Sequence, residues 1–171
     1  AYMGLQLLER EKQVFKATEG VQPDLEGNDY ILERQLKPEA RKDVVALLES
    51  LEVIPTSMID ISDGLASEIL HLSQHSKVGF AIYDEKIPID PVTHRLAREF
   101  NLDPSTTALN GGEDYELLFT IKQDDYDKIK GNPNFTVIGY AQEEAKGCEW
   151  IDKDNGLHPL KAQGWDSFKK D

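Results

Sequence analysis

Apolar positions recur with helical spacing in some stretches of the chain and alternate or cluster in short strand-like runs in others. From Tyr2 to Phe15 the spacing through Leu5, Leu8, Lys12 and Phe15 predicts an amphipathic helix whose apolar side packs on a sheet. Ala17 to Asp29 is rich in Gly, Pro, Asp and Asn and reads as a loop. Tyr30 to Leu36 predicts a short helix that stops before Lys37-Pro38, because the residue ahead of a proline avoids helical geometry. Pro38 then opens a helix from Glu39 to Glu52 with Val44, Leu47, Leu48 and Leu51 on one face.

The second half of the pattern is mixed. A short apolar run ending at Ile61 predicts a strand, and Leu65, Ile69 and Leu72 predict the buried face of a helix starting near Asp63. Val78, Phe80 and Ile82 alternate as in a strand, and Asp90-Pro91 gives a cap and first-turn proline for a helix through Phe100. Asn101 to Leu109 reads as a linker, Tyr115 to Ile121 as a buried strand, and Asp124 to Lys130 as a short helix closed by Gly131-Asn132-Pro133. A strand from Phe135 to Ala141 follows, then Glu149–Asp152 and Leu157–Leu160 as a hairpin around Asn155-Gly156. Helices first, then strands and helices in alternation, predict an α+β domain with one mixed β-sheet and helices packed mainly on one face.

Two stretches carry candidate chemistry. At the predicted strand-to-helix joint stand Asp60, Ser62, Asp63 and Gly64, two carboxylates three residues apart with a hydroxyl between them and a glycine that permits a tight turn. Such carboxylates can converge on one hard cation, while the free N–H groups at a helix start face an anion; magnesium-phosphate chemistry fits. Helix capping by Ser62 or Asp63 accounts for the same residues without a ligand. The other stretch is Asn110-Gly111-Gly112-Glu113-Asp114-Tyr115-Glu116, in which three acids within four positions follow a glycine pair. Crowded acids repel one another unless a cation or donor-rich partner offsets them; a solvated acidic turn is the plain alternative.

Composition narrows the partners. The formal net charge is −13, so nucleic acid and anionic membranes are disfavoured and cations favoured. The single cysteine, Cys148, excludes an internal disulfide and a multi-cysteine zinc site. His71 and His75 stand four apart on a predicted helix, without the further ligands that a metal would need. No apolar run approaches the roughly 20 residues that span a bilayer, and 171 residues suffice for a sizeable core in a single domain.

Asp60-Ile61-Ser62-Asp63-Gly64-Leu65 and Gly111-Gly112-Glu113-Asp114-Tyr115-Glu116-Leu117, together with the closing Gly164-Trp165-Asp166-Ser167-Phe168, resemble the signatures of the thiamine-monophosphate kinases. That family belongs to the superfamily of aminoimidazole ribonucleotide synthetase and selenophosphate synthetase. The resemblance implies a ferredoxin-related carboxy-terminal domain of a cytoplasmic, homodimeric enzyme that phosphorylates thiamine monophosphate with ATP and Mg2+; the alternatives are another ATP-dependent enzyme of that superfamily and a non-catalytic α+β module that binds a small ligand or partner. It implies Asp60 and Asp63 as magnesium ligands and catalytic acids, Ser62 at the nucleotide phosphates, Glu113 at the thiamine phosphate, and Trp165 against its ring system, where an aromatic face attracts the thiazolium cation.

In the family an amino-terminal half carries most metal-binding acids, including a Gly-Asp-Asp-Ala-type motif, and most of the nucleotide site. No such motif occurs in this sequence, so residues 1–171 are expected to be a carboxy-terminal substrate-binding domain, inactive alone. The family's Pro-x-Pro-Arg element reads Pro38-Glu39-Ala40-Arg41 here, without its second proline, and no binding role is assigned to Arg41.

Overall fold

A computed structural model describes residues 1–18 and 20–162. Its helices are α1 (Tyr2–Ala17), α2 (Asp29–Leu36), α3 (Lys42–Ser50), α4 (Leu65–Ser76), α5 (Pro91–Glu99), α6 (Pro104–Asn110) and α7 (Tyr126–Ile129). Its strands are β1 (Ser57–Asp60), β2 (Val78–Tyr83), β3 (Leu117–Thr120), β4 (Gly139–Glu143), β5 (Cys148–Ile151) and β6 (Leu157–Pro159). The α+β class expected from the sequence holds. The mixed sheet is four-stranded, in the order β4-β2-β5-β6, with β2 parallel to β5 and the other pairs antiparallel. β1 and β3 form a separate antiparallel ribbon, with Ser57 opposite Thr120 and Asp60 opposite Leu117.

The main core lies where α4 meets the sheet. Leu65, Ile69 and Leu72, the predicted stripe, pack with Phe80 and Ile82 of β2 and with Ile87, Leu109 and Leu160. β2 is central, so Gly79, Phe80, Ala81 and Ile82 are all buried rather than alternating. A Cβ on Gly79 would stand 2.2 Å from the Gly147 carbonyl oxygen, so only glycine fits there.

Several elements depart from the sequence reading. α1 buries Met3, Leu7 and Glu11, while Leu5 and Phe15 are exposed. It packs on α2 and α5 rather than on a sheet. Glu11 is buried because it ties down the following loop: its carboxylate accepts from the Asp24 N–H at 2.8 Å, which holds its pKa below the usual value. α3 starts at Lys42 rather than after Pro38, since Arg41 precedes its first turn.

The stretch expected as a linker, Asn101 to Leu109, contains α6, whose start repeats the Asp-Pro device of α5. Asp103 accepts from the Thr106 N–H at 2.8 Å ahead of Pro104, as Asp90 accepts from Val92 ahead of Pro91. β4 begins at Gly139 rather than Phe135, because Phe135 turns to Phe119 in an edge-to-face contact at 5.7 Å, joining the cluster of Val44, Leu48, Val53 and Ile129.

The β5–β6 hairpin forms as expected, with Asn155 in the left-handed region. Asp152 organises its turn, accepting from the Asp154 and Gly156 N–H groups and pairing with His158 Nε2 at 2.6 Å. His158 in turn stacks on Trp150.

Two outcomes test this account. Asp103→Ala is expected to destabilise the chain by about 1 kcal/mol in a urea titration, the usual worth of an N-cap. The hydrogen bond from His158, followed by that from Gly156, lowers the Asp152 pKa. A depressed carboxylate contributes stability above its unfolded pKa and loses it as pH falls through the folded one. His158→Ala should therefore move the Asp152 titration upward toward the ordinary carboxylate range, read from its side-chain carboxyl NMR shift.

Candidate functional site

Antiparallel pairing brings the two acidic stretches together. β1 runs into the 61–64 turn at the same end of the ribbon at which the 111–116 loop enters β3. Beyond the regular ladder the pairing continues irregularly: Ile61 N–H donates to the Glu116 carbonyl, Tyr115 N–H to the Ile61 carbonyl and Glu113 N–H to the Ser62 carbonyl, each at 2.8 Å. The expected strand from Tyr115 therefore begins at Leu117.

Glycine makes this approach possible. A Cβ on Gly112 would lie 2.4 Å from the Ser62 carbonyl oxygen, and one on Gly64 3.0 Å from the Leu109 carbonyl oxygen. Gly64 also has φ +125°, open only to glycine. The loop opposite carries strain on ordinary residues: Glu113 has φ 64° and Tyr115 φ 52°. Each such residue costs about 1–3 kcal/mol and persists only where its surroundings over-determine it.

At the start of α4 the expected caps do not form. Gly64 occupies the cap position and no side chain caps the first turn. Instead Glu68 folds back: its Oε1 accepts from the Asp63 N–H at 3.0 Å and from Ser62 Oγ at 3.4 Å. The carboxylate is almost wholly enclosed, at 1% exposure, and its Oε2 finds no hydrogen-bond partner among the described residues. Sequence reading passed over Glu68, although its place between Leu65 and Ile69 puts it on the buried stripe.

The structure brings Ser62, Asp63 and Glu113 to one joint, with Asp60 at the end of β1 beside them. Asp60 and Glu113 are exposed, Ser62 and Asp63 half-buried. Glu113 Oε2 accepts from Gln35 Nε2 at 2.8 Å. Trp165 lies outside the described residues. A cavity of about 1050 Å³ between the ribbon and the sheet is lined by Asp114 and Glu116; Asp60, Ser62, Asp63 and Glu113 are not among its lining residues.

The donor set is all oxygen, as a hard cation prefers. Among the described residues no group of three His, Cys, Asp or Glu side chains is placed to hold a metal ion. Asp60 and Asp63 thus offer at most a pair of carboxylates. That suits magnesium, which usually takes one or two carboxylates and completes its shell with phosphate and water. His75 Nδ1 lies 2.8 Å from the His71 carbonyl oxygen, one helical turn back.

No protein-family model matches the chain. Curated relatives include the thiamine-monophosphate kinases of Pyrococcus horikoshii, 35% identical over 141 residues, and of Aquifex aeolicus, 34% identical over 167 residues. These alignments cover 81% and 96% of this chain but 41% and 47% of the relatives, so the chain spans less than half their length. Among solved structures, AaThiL complexed with AMPPCP and TMP superimposes with a TM-score of 0.71 at 30% identity, over 98% of this chain and 47% of that one. Escherichia coli HypE, a hydrogenase maturation protein, matches at TM-score 0.60 and 15% identity over 80% of this chain and 45% of its own, a likeness of fold alone. No helix among the described residues is long and apolar enough to cross a membrane. Over most of its length the chain is homologous to the thiamine-monophosphate kinases, and it shares a fold with HypE.

Proposed function

We propose that this chain forms the thiamine-phosphate-facing part of an ATP- and magnesium-dependent kinase that converts thiamine monophosphate to thiamine diphosphate. The observation that carries this reading is the joint itself. Two acidic glycine turns, each matching a signature of the kinases, are zipped by backbone hydrogen bonds at one end of a strand ribbon. The sequence identity to the Aquifex kinase over nearly the whole chain, and the likeness to a structure holding AMPPCP and TMP, support it.

Phosphoryl transfer asks the protein for positioning and charge neutralisation more than for covalent chemistry. Asp60 and Asp63 would hold magnesium, which when bound offsets phosphate charge. Ser62 would meet the nucleotide phosphates beside the start of α4, since the N-terminus of a helix favours an anion. Glu113 would orient the thiamine phosphate, and Trp165 would cover its ring system. Direct in-line transfer fits a site with no histidine or cysteine among these residues. Asp60, Ser62, Asp63 and Glu113 stand at the joint but not in the lining of the large cavity. We read this as one side of a site whose remaining metal and nucleotide groups belong to a longer, cytoplasmic and homodimeric protein.

Calorimetric titration of the chain with thiamine monophosphate, with and without magnesium, tests the assignment. Saturable binding is expected, weakened about tenfold or more by Glu113→Ala and by Trp165→Ala, the scale of one charge-assisted hydrogen bond or buried aromatic contact. Equal heats from the parent and both variants would remove these residues from the site. In the complete enzyme, Asp60→Asn and Asp63→Asn should each lower turnover by about 10²-fold, as expected for loss of preorganised charge; unchanged turnover would reduce both to structural acids.

A further inference from the structure

Glu116 is gripped from two sides by groups that the sequence reading left without a role. Arg34, in the last turn of α2, directs Nη2 to both the Glu116 carboxylate and the Asp114 carbonyl, each at 2.7 Å. Arg41, between α2 and α3, donates from Nη1 to the other Glu116 oxygen. It also holds both oxygens of Asp43 through Nε and Nη2 at 3.0 Å. Beside Arg34, Gln35 bonds to Glu113. The end of α2 therefore touches the loop at Glu113, Asp114 and Glu116, spanning the two residues in left-handed conformation.

This arrangement answers the repulsion among three acids within four positions. The compensating cations are part of the chain itself, and both guanidinium groups are only about a quarter exposed, at 26% and 23%. Their planar forks fix direction as well as charge. The Arg41 pKa is raised, chiefly by its hydrogen bond to Asp43 and further by the neighbouring Glu116 charge, so the group stays cationic.

We propose that Arg34, Gln35 and Arg41 are positioning residues: the two arginines, through Glu116 and Asp114, and Gln35, through Glu113 itself, hold the 111–116 loop in its left-handed form and so set the direction in which Glu113 points. The consequence for ligand binding rests on the role given to Glu113 above; the consequence for the loop does not.

Two readouts separate these. Amide hydrogen exchange at Glu113 and Tyr115, whose N–H groups bond to the Ser62 and Ile61 carbonyls, reports loop order without any ligand. Titration with thiamine monophosphate reports the direction of Glu113. In the 171-residue chain, Arg34→Ala and Glu116→Gln are expected to speed exchange at both amides by about tenfold, the worth of one charge-assisted hydrogen bond, with the α4 amides unchanged. Arg34→Lys should recover part of that protection, and thiamine monophosphate affinity should follow the same order across the variants. Exchange at Glu113 and Tyr115 staying within about twofold of the parent, below the scale of any single hydrogen bond, would overturn the proposal, as would equal acceleration throughout α4. Glu113→Ala distinguishes the two readings. Lost binding with unchanged exchange in that variant supports the substrate role and leaves the loop-holding role to the arginine variants. Retained binding overturns the substrate role even where Arg34→Ala loosens the loop.

Discussion

The candidate site depends on one steric constraint, the contact of two backbones where a side chain would intervene. Gly112 lets the 111–116 loop lie against the Ser62 carbonyl, and Gly64 lets the start of α4 lie against the end of α6. With those two Cβ atoms absent, three backbone hydrogen bonds extend the β1–β3 ribbon past its regular register and lock the acidic turns together. Everything functional that the sequence suggests at Asp60, Ser62, Asp63 and Glu113 follows from this approach. The carboxylates need no large cavity of their own. They stand on a rim whose shape is set by main-chain bonding, with the apolar hollow between ribbon and sheet on the other side.

The rim is not relaxed. Glu113 and Tyr115 hold φ values that L-residues avoid, and Glu68 keeps one carboxylate oxygen buried beneath the 62–63 turn with no partner among the described residues. Such features are tolerated where the surroundings leave no alternative, and they gather at places that must present groups in a fixed direction. Here the surroundings are specific: the α2 end with its two guanidinium-carboxylate contacts above, and the α4–β2 core below.

Much of this was legible in the sequence, and the boundary between legible and hidden is physical. Local signals carried the helix of Leu65, Ile69 and Leu72, the Asp90-Pro91 start of α5 and the Asn155-Gly156 hairpin, because each depends on residues a few positions apart. The same signal at Asp103-Pro104 was present and went unread, since the glycine pair beyond it drew the segment into a linker. The face of α1 was misplaced because Leu5, Leu8 and Phe15 offer as good a stripe as Met3 and Leu7, and only tertiary contact with α2 and α5 decides between them. The acids of the site were singled out by their crowding at two glycine turns and given roles by resemblance. Arg34 and Gln35 went unnamed, and Arg41 was left without a role for want of the second proline; their partners lie 75 to 82 residues away and no periodicity connects them.

That separation bears on how the molecule assembles. The loop cannot take its final form from local preference, since its own residues oppose the conformation they adopt. It must wait for α2 to be docked against it from 80 residues upstream, as the Arg34 to Asp114 bond records. Closing a span of that length costs entropy before any contact repays it, so segments joined in this way order late in folding. The hydrophobic core around α4 and β2 can form first, from neighbours in the chain. The rim would then be the last part to order and, by the same logic, the first to loosen when the protein is stressed.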